Sequence, residues 1–279
     1  MSEGDVARSS SLAMSGGRKR GIRRLHRLEP AAVAGVMSRD ATVFTRNWKT
    51  TTFSSIVEPT IYLLAFGFGF GALITSIGGL DYKQYVGTGI VATAVLFSSA
   101  FPGMYGTFLK YRFQRTYDAF LAAPVDTDEI VSAEVLWIGL RAGVYGNVPL
   151  LVAIAFGLDP RPTAVLVPFI CFITGCAFVA FGITLAATAE SIDNFSYVTS
   201  GILTPMFLTA GTFFPISSFP AGIEAIARLN PLYHCVQLVR DVVVLGVGWA
   251  DLGHLAFLVA FGLALWRVAI WRMRKRLVD

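Results

Sequence analysis

The sequence predicts an all-α membrane protein with six transmembrane helices, and three observations lead to this fold class. Hydrophobic residues make up 54% of the 279 residues and charged residues only 15%, with a mean hydropathy of +0.62. The apolar residues cluster into blocks of about 20 residues, the length that crosses a bilayer at about 1.5 Å per residue. The basic residues instead lie near the two ends: ten of the 23 Lys and Arg residues precede residue 50, and five follow from Arg267 onward.

The distribution of positive charge predicts which side of the membrane each segment faces. If both termini are cytoplasmic, the inner segments hold 18 of the 23 basic residues, including Lys110, Arg112 and Arg115 in the longest inner loop. Cytoplasmic segments of membrane proteins are enriched in Lys and Arg, so we expect this orientation. The basic run from Arg18 to Arg27 could instead bind nucleic acid, but the hydrophobic spans that follow it favour cytoplasmic retention, and we expect no nucleic-acid partner.

Two segments precede the first span. Residues 1–29 are rich in Ser, Gly and Arg and have few large apolar residues, so we expect a disordered, basic cytoplasmic tail. From Pro30 onward, apolar residues recur at steps of three or four, which predicts an amphipathic helix over residues 30–49. This helix either lies along the inner leaflet as an interfacial helix or packs on protein. Its apolar face consists of Val33, Met37, Ala41, Phe44 and Trp48.

Six spans and a segment of short helices complete one transmembrane domain over residues 30–279. The segment from Gly211 to Asp241 is too polar to cross and is divided by three prolines, so we expect short helices in the outer leaflet between the fifth and sixth spans. The sixth span is the least distinct, because Asp251 and His254 lie near its outer end. The spans are predicted at residues 56–76, 86–109, 130–157, 163–189, 195–214 and 248–270.

The glycine-rich stretch LLAFGFGFGAL lies in the middle of the first predicted span. A nucleotide-binding loop would need a strand before it and a helix after it, so this stretch does not fit one. Gly67 and Gly71 instead form a pair of small residues four apart, which allows another helix to approach closely. Phe66 and Phe70 line a neighbouring stripe. The pattern favours helix packing, and the packed contact could also be a seam that opens during transport.

One basic residue is predicted inside the membrane. Arg141 lies about eleven residues into the third span, near the middle of the bilayer, where a lone charge costs at least ~2.5 kcal/mol. We therefore expect Arg141 to face a polar cavity or a subunit boundary, or to pair with a carboxylate. Glu134, seven residues earlier, is on the same helical face but about two turns away.

The sequence contains no motif for nucleotide binding or for bond-breaking chemistry. It has no Walker A pattern, and its histidines form no metal-type cluster. Cys171, Cys176 and Cys235 are interpreted as packing residues. We expect no enzymatic activity and no cofactor or metal bound by this chain. An ion-coupled secondary transporter, which would favour internal repeats and several intramembrane carboxylates, and a membrane-embedded lipid-modifying enzyme are the alternatives.

The inner loop LKYRFQRTYDAFLAAPVDTDEI predicts a short amphipathic helix at the cytoplasmic surface. Phe113, Tyr117, Phe120 and Leu121 would share one helical face. Pro124 ends the segment before the acidic start of the next helix. The segment is either a docking helix for a cytoplasmic partner or a surface loop that rests on lipid headgroups.

Four motifs, together with the arrangement of the spans, carry a likeness to a known family. They are EPTIYLLAFGFGFGALI, FQRTYDAFLAAPV, LTPMFLTAGTFFPISSFP and NPLYHCVQLVR. With these motifs the chain resembles the ABC-2 type permeases, and more closely the NodJ-like permeases, which are associated with export of lipo-chitooligosaccharide nodulation signals. Pro231, His234 and Arg240 look like the tail of the family signature. The resemblance covers nearly everything from about Arg46 to the end.

The resemblance implies the permease subunit of an ATP-binding-cassette exporter. Such a subunit moves an amphipathic molecule, such as a lipo-oligosaccharide, a glycolipid or a hydrophobic drug, outward from the inner leaflet or the cytoplasm. It also implies a homodimer in the bacterial inner membrane, surrounded by membrane lipids and with both termini cytoplasmic. Two copies of a separate ATPase chain would bind the ATP and Mg.

The resemblance further implies roles for particular residues. The ATPase would contact the helix in the inner loop, with a second contact at the turn before the fifth span. Substrate would enter between the first and fifth spans and leave under the outer helices. The implied ATPase-coupling residues are Arg115, Thr116, Tyr117, Asp118 and Phe120, with Glu190 and Asp193 at the second contact. The implied substrate-pathway residues are Tyr62, Phe66, Gly67, Phe70, Gly71, Arg141 and Phe207.

Overall fold

A computed structural model of the chain describes residues 28–74 and 76–278, and they are almost entirely helical. The predicted basic tail lies outside the described residues, apart from Leu28 and Glu29. A two-residue hairpin, β1 (Ser76–Ile77) and β2 (Leu80–Asp81), is paired antiparallel. The helices are α1 (Pro30–Leu64), α2 (Tyr82–Phe101), α3 (Thr107–Arg112), α4 (Thr116–Ala122), α5 (Thr127–Tyr145), α6 (Val148–Ala155), α7 (Val167–Thr188), α8 (Asn194–Val198), α9 (Thr204–Thr209), α10 (Ala221–Arg228), α11 (Pro231–Arg240) and α12 (Trp249–Val278).

Several of these helices continue into one another through short irregular turns. Two turns of π-helix extend a helix: Ala65–Gly69 follows α1, and Asp241–Leu245 follows α11. Two more join helices: Pro102–Gly106 connects α2 to α3, and Thr199–Leu203 connects α8 to α9. Proline at the start of the Pro102–Gly106 turn has no N–H to donate, which accounts for the loosened hydrogen-bond pattern there. The long helices therefore span more residues than their regular parts alone.

Four helical segments in the described part of the chain are long and apolar enough to cross a membrane. They are Tyr82–Arg112, Thr127–Ala155, Pro162–Thr188 and Trp249–Leu277, and they correspond to the predicted second, third, fourth and sixth spans. In the predicted fifth span, helix ends at Thr209 and gives way to an irregular segment. The chain is a multi-pass helical protein, and the count of six spans stays a prediction.

The predicted interfacial helix and first span are not separate elements. Helix α1 runs without interruption from Pro30 to Leu64 and continues through π and 3-10 turns to Ala72. The periodicity of Val33 to Trp48 correctly predicts helix. Because helix also covers residues 50–55, no break separates the two predicted elements, and the placement of residues 30–49 along the inner leaflet stays a prediction.

Helix α7 is the centre of the helical bundle. It packs along α5, α12 and α2, and it also makes a close backbone contact with the turn that follows α2. A Cβ atom added at Gly182 of α7 would lie 2.7 Å from the carbonyl oxygen of Ala100 and 2.8 Å from the backbone of Gly103. Only residues without a side chain permit two helix backbones to approach this closely.

The glycine pair of the first predicted span makes no such contact with any of the residues that the structure describes. A Cβ added at Gly67 would meet only Leu63 of its own helix at 3.7 Å, and one at Gly71 would meet the side chain of Tyr82 at 3.7 Å. These are ordinary van der Waals separations, so the chain's own close helix contacts lie elsewhere. The spacing of small residues identifies a surface that a helix can approach, but it does not determine which helix does so.

At one end of the bundle, polar contacts tie three helices together. Asp126 and Glu129 form a capping box at the start of α5, and Glu129 Oε1 also accepts a 2.9 Å hydrogen bond from the backbone N–H of Glu29, just before α1. Arg274, near the end of α12, donates to both carboxylate oxygens of Asp128 at 2.7 and 2.6 Å. These contacts fix α1, α5 and α12 around the segment that contains α4.

Short helices occupy the region between α9 and α12, as predicted. Helix α10 is exposed, with Ile223 and Ile226 on its surface, whereas α11 is largely buried against α2, α7 and α12. The two short helices therefore differ in burial: α11 packs inside the bundle, whereas α10 lies at its surface.

Candidate functional site

Helix α4 is held to the bundle by a buried tyrosine. The chain turns sharply at Arg115, which has a left-handed backbone with φ of 51°, and α4 begins at the next residue. This turn directs the ring of Tyr117 inward, where it is fully buried, and its hydroxyl donates a 2.8 Å hydrogen bond to Glu134 Oε2 of α5. The inner loop therefore contains a helix, as predicted, and Tyr117 is its anchor.

Glu134 is the centre of a polar cluster, which we call the inner network: Asp40, Thr107, Lys110, Tyr117 and Glu134. Thr107 Oγ1 donates to Glu134 Oε2 at 2.8 Å, and Lys110 Nζ donates to Glu134 Oε1 at 2.8 Å. Lys110 Nζ also donates to Asp40 Oδ2 at 2.7 Å. The network therefore joins one residue from α1, two from α3, one from α4 and one from α5.

Burial gives the inner network its strength. Glu134 and Tyr117 are fully buried, so removal of one partner would leave a polar group or charge uncompensated, at a cost of about 3–5 kcal/mol for an ion pair. Burial, and then the nearby Glu134 carboxylate, raise the pKa of the Tyr117 hydroxyl well above its usual value. Tyr117 thus keeps its proton and remains a hydrogen-bond donor to Glu134.

The other implied ATPase-coupling residues lie around this anchor. The side chains of Arg115 and Asp118 are 81% and 59% exposed, while Thr116 and Phe120 are half-buried. Glu190 and Asp193 are exposed on the turn between α7 and α8. Helix α4 thus presents Arg115 and Asp118 outward and Tyr117 inward.

The prediction that Phe113 shares a face with Tyr117 is wrong. Helix α3 ends at Arg112 and α4 begins at Thr116, so Phe113 belongs to neither helix and is 64% exposed. The left-handed backbone at Arg115 interrupts the helical spacing on which the prediction rested. Phe113 is therefore an exposed apolar side chain in the same loop as the exposed Arg115 and Asp118.

The implied substrate-pathway residues separate into two groups. The first is an aromatic group on α1 and its extension, in which Phe66 stacks with Phe70 at a centroid distance of 5.6 Å and lies 6.3 Å from Tyr62. Phe213, which the site prediction missed, links this group to Phe207 through contacts of 4.3 and 5.3 Å. The group therefore connects the first predicted span to the segment around α9.

Gly67 is near this group but lines a different space. It borders a cavity of about 150 Å³ together with Lys83, Ala153 and Phe156. Gly71 contacts the side chains of Tyr82 and Lys83. Both glycines thus lie beside the aromatic group on the side of α2 and α6.

Arg141 forms the second group by itself. Its guanidinium lies over the ring of Phe44 at 4.9 Å and borders a cavity between α1, α3 and α5. Glu134 is not its partner, because both oxygens of that carboxylate bind Thr107, Lys110 and Tyr117. The sequence predicted that Arg141 would face a polar cavity or a subunit boundary, or pair with a carboxylate, and the structure places it at a cavity.

The family-signature residues fix α11 in the bundle. Pro231 starts the helix, behind Asn230, whose side chain accepts a 2.9 Å hydrogen bond from the Leu232 N–H. The Arg240 guanidinium stacks on the ring of Tyr85 at 3.7 Å and donates to the carbonyl oxygens of Tyr85 and Gly211 at 3.2 and 3.1 Å. His234 Nδ1 lies 2.7 Å from His254 Nδ1 of α12.

Within the described residues, no cluster of three or more His, Cys, Asp or Glu side chains could hold a metal ion. Cys171 and Cys235 are buried in the hydrophobic core as free thiols, and burial raises the pKa of the Cys235 thiol to about 12. These thiols fill space in the core, as the sequence predicts.

Apolar helices of membrane-spanning length, packed around α7, define a multi-pass membrane protein. Residues 32–244 match the family model described as ABC-2 type transporter, and the chain belongs to that family.

Curated relatives support a transport role. The chain is 28% identical to Nodulation protein J of Sinorhizobium fredii over 236 residues, which cover 83% of this chain and 90% of the relative. It is 30% identical to Nodulation protein J of Rhizobium leguminosarum bv. trifolii over 201 residues, 71% of this chain and 77% of the relative. It is 26% identical to the inner membrane transport permease YadH of Escherichia coli over 242 residues, 84% and 93% of the two chains.

Proposed function

We propose that this chain is the transmembrane permease subunit of an ATP-binding-cassette exporter that moves an amphipathic molecule outward from the inner leaflet or the cytoplasm. The observation that supports this most directly is the buried contact of Tyr117 with Glu134. Through it, a partner that presses on the exposed face of α4 would act on α5 and, through Lys110 and Asp40, on α3 and α1.

Energy would come from a second kind of chain. The sequence has no Walker A motif, so ATP and Mg would be bound by a separate ATPase, in two copies, below a pair of permease chains. Arg115, Asp118 and Phe113 on the inner loop, with Glu190 and Asp193 on the second turn, offer exposed charged and apolar side chains for that contact. In a bacterial cell the complex would lie in the inner membrane, with both termini of the permease cytoplasmic.

The cargo class follows from the aromatic group and from the relatives. Tyr62, Phe66, Phe70 and Phe207 would contact the apolar part of an amphipathic molecule on a route between the first and fifth spans. The name Nodulation protein J, shared by several relatives, favours a lipo-oligosaccharide or a related glycolipid. A hydrophobic drug would fit the same aromatic surface.

The test is reconstitution of the purified chain in lipid vesicles, with and without a co-expressed ABC-type ATPase from the same genome. We expect the two chains to co-purify, and a fluorescent lipo-oligosaccharide to be moved only when the ATPase and ATP are present. Transport by the permease alone, driven by an ion gradient, would instead indicate the secondary transporter.

A matched pair of variants tests the role of α4. Asp118→Ala removes an exposed carboxylate from α4 and should uncouple ATP hydrolysis from transport severalfold without reducing the amount of folded protein. Asp159→Ala removes an exposed carboxylate from the loop after α6, at the other end of the bundle, and should leave coupling unchanged. Equal effects of the two variants would remove α4 from its proposed role.

A further inference from the structure

A cationic cavity lies between α1, α3 and α5. It has a volume of about 300 Å³, and three basic side chains border it: Arg39, Lys110 and Arg141. One carboxylate, Asp40, also borders it, and a second, Glu134, lies behind Lys110. Three positively charged and two negatively charged side chains therefore lie in or next to the cavity.

Arg141 carries the positive charge that is left over. Asp40 is bound by Arg39 at 2.8 Å and by Lys110 at 2.7 Å, and Glu134 is bound by Lys110 at 2.8 Å. Arg141 forms no ion pair with a carboxylate anywhere in the described part of the chain, and its buried Nε has no hydrogen-bond partner. A guanidinium held in this way is a site for an anion from outside the chain, most favourably a phosphate, which it can bind through two parallel hydrogen bonds.

The depth of Arg141 indicates where that anion comes from. The helical segment Thr127–Ala155 has 29 residues, about 43 Å at about 1.5 Å per residue, whereas the hydrocarbon core is about 30 Å thick. The charged residues Asp128, Glu129 and Glu134 all lie near the start of this segment, so the part that fits the hydrocarbon core is the stretch of about 20 residues that ends at Ala155. That stretch begins near Trp137, a residue type favoured at the membrane interface. Arg141 then lies about 6 Å inside this boundary, nearer the surface than the mid-membrane position expected from the sequence, and within reach of the phosphates of the inner leaflet.

The mouth of the cavity suits a lipid rather than a free ion. Val43 and Leu109 border it and are 46% and 39% exposed, so an apolar surface adjoins the cationic floor. The volume is sufficient for a headgroup but not for acyl chains, which would lie along Val43 and Leu109 outside it. The combination matches an amphiphile with an anionic head.

We propose that this cavity binds the phosphate headgroup of an anionic phospholipid of the inner leaflet, with Arg141 as the principal ligand. The site is separate from the aromatic group between the first and fifth spans, and it does not depend on the transport role. The bound phosphate would be the anionic partner of Arg141, and it would lie beside the Asp40–Lys110 pair of the inner network.

Native mass spectrometry of the full chain, released from micelles with defined lipids, tests the proposal. We expect phosphatidylglycerol to bind at least about tenfold more tightly than phosphatidylcholine with the same acyl chains.

Arg141→Gln should remove this preference, because a hydrogen bond to a charged group typically contributes about a factor of ten or more to an affinity. Arg141→Lys should retain part of it. Arg267→Gln, which removes an exposed positive charge near the inner end of α12, is the matched control and should retain the preference.

A second variant separates the site from effects on folding. Val43→Trp blocks the mouth of the cavity and leaves every charge in place, so it should also abolish selective phosphatidylglycerol binding. Equal loss in Arg141→Gln and Arg267→Gln, or equal binding of the two lipids to the unaltered chain, would overturn the proposal. Competition by inorganic phosphate at the same concentration as the lipid would show a site for a free anion instead. A change of oligomeric state in Arg141→Gln with lipid binding intact would show that a second copy covers the cavity.

Discussion

Tyr117 and Glu134 join a surface helix to a membrane helix through one buried hydrogen bond of 2.8 Å. Tyr117 is the inward-facing residue of α4, and Glu134 lies two turns into α5. Because Glu134 also binds Lys110 and Thr107, a displacement of α4 disturbs a network that includes α1 and α3.

Removal of the Tyr117 hydroxyl should destabilise the protein. Tyr117→Phe retains the buried ring but takes one donor from Glu134, which should cost about 1–3 kcal/mol and lower the melting temperature in detergent. Tyr197→Phe is the control, because Tyr197 is 78% exposed on α8 and should not affect melting. Equal melting temperatures for Tyr117→Phe and the unaltered chain would show that the bond contributes no stability.

The Lys110–Glu134 pair should show strong coupling in a double-mutant cycle. Lys110→Met leaves the buried Glu134 carboxylate without its cation and should cost about 3–5 kcal/mol. Glu134→Leu leaves Lys110 paired with Asp40 but takes the acceptor from the buried Tyr117 hydroxyl. The double variant should cost less than the sum of the two single variants, because it removes both charges together. Thermal unfolding of the four proteins gives the coupling energy, and simple additivity would contradict the pairing.

Two glycines in long helices should respond oppositely to alanine. Gly182→Ala places a Cβ 2.7 Å from the Ala100 carbonyl oxygen and should destabilise the bundle by about 1–3 kcal/mol. Gly253→Ala in α12 meets nothing within 4 Å and should be neutral or stabilising by up to about 1 kcal/mol. Melting temperatures that move in the same direction would contradict the close contact of α7 with the turn after α2.

Stability should depend on pH through Asp241. Burial, and then Asp251, raise the pKa of Asp241 to about 7, and Arg240 opposes this only in part. The folded chain therefore binds a proton that the unfolded chain, with an ordinary pKa of about 3.9, has released, so this contribution to stability is lost as pH rises through 7.

The melting temperature should accordingly be higher at pH 6.5 than at pH 8. Burial, and then His254, lower the pKa of His234, which would act in the opposite direction at more acidic pH, so the comparison stops at 6.5. Asp241→Asn cannot lose the proton and should flatten the dependence. An unchanged pH profile in that variant would assign the effect to another group.

The limits of sequence reasoning are visible in the residues around Arg141. Its position within an apolar stretch identified it as a buried charge that needs compensation, and the structure places it at a cavity. The sequence offered Glu134 as a partner, yet that carboxylate binds Lys110, 24 residues away along the chain. Spacing along one helix determines which residues share a face, but not which neighbouring helix supplies the opposite charge.

The inner loop shows the same limit at shorter range. Its helix was correctly predicted from apolar spacing, whereas the turn at Arg115 was not, because a left-handed backbone at a residue other than glycine leaves little trace in the sequence. That turn excludes Phe113 from the helix and directs Tyr117 into the core. Phe213 was missed because its contacts with Phe66 and Phe207 form only when distant segments meet.

By itself the sequence determined the membrane class, the approximate positions of the long apolar helices and the family, because hydrophobic length, charge asymmetry and local motifs are properties of consecutive residues. The tertiary structure alone decided that α7 is the centre of the bundle, that Tyr117 anchors α4 on Glu134 and that Arg141 has no carboxylate partner in the described chain. These three features arise only when surfaces of different helices meet, because the residues that form them are far apart in the chain.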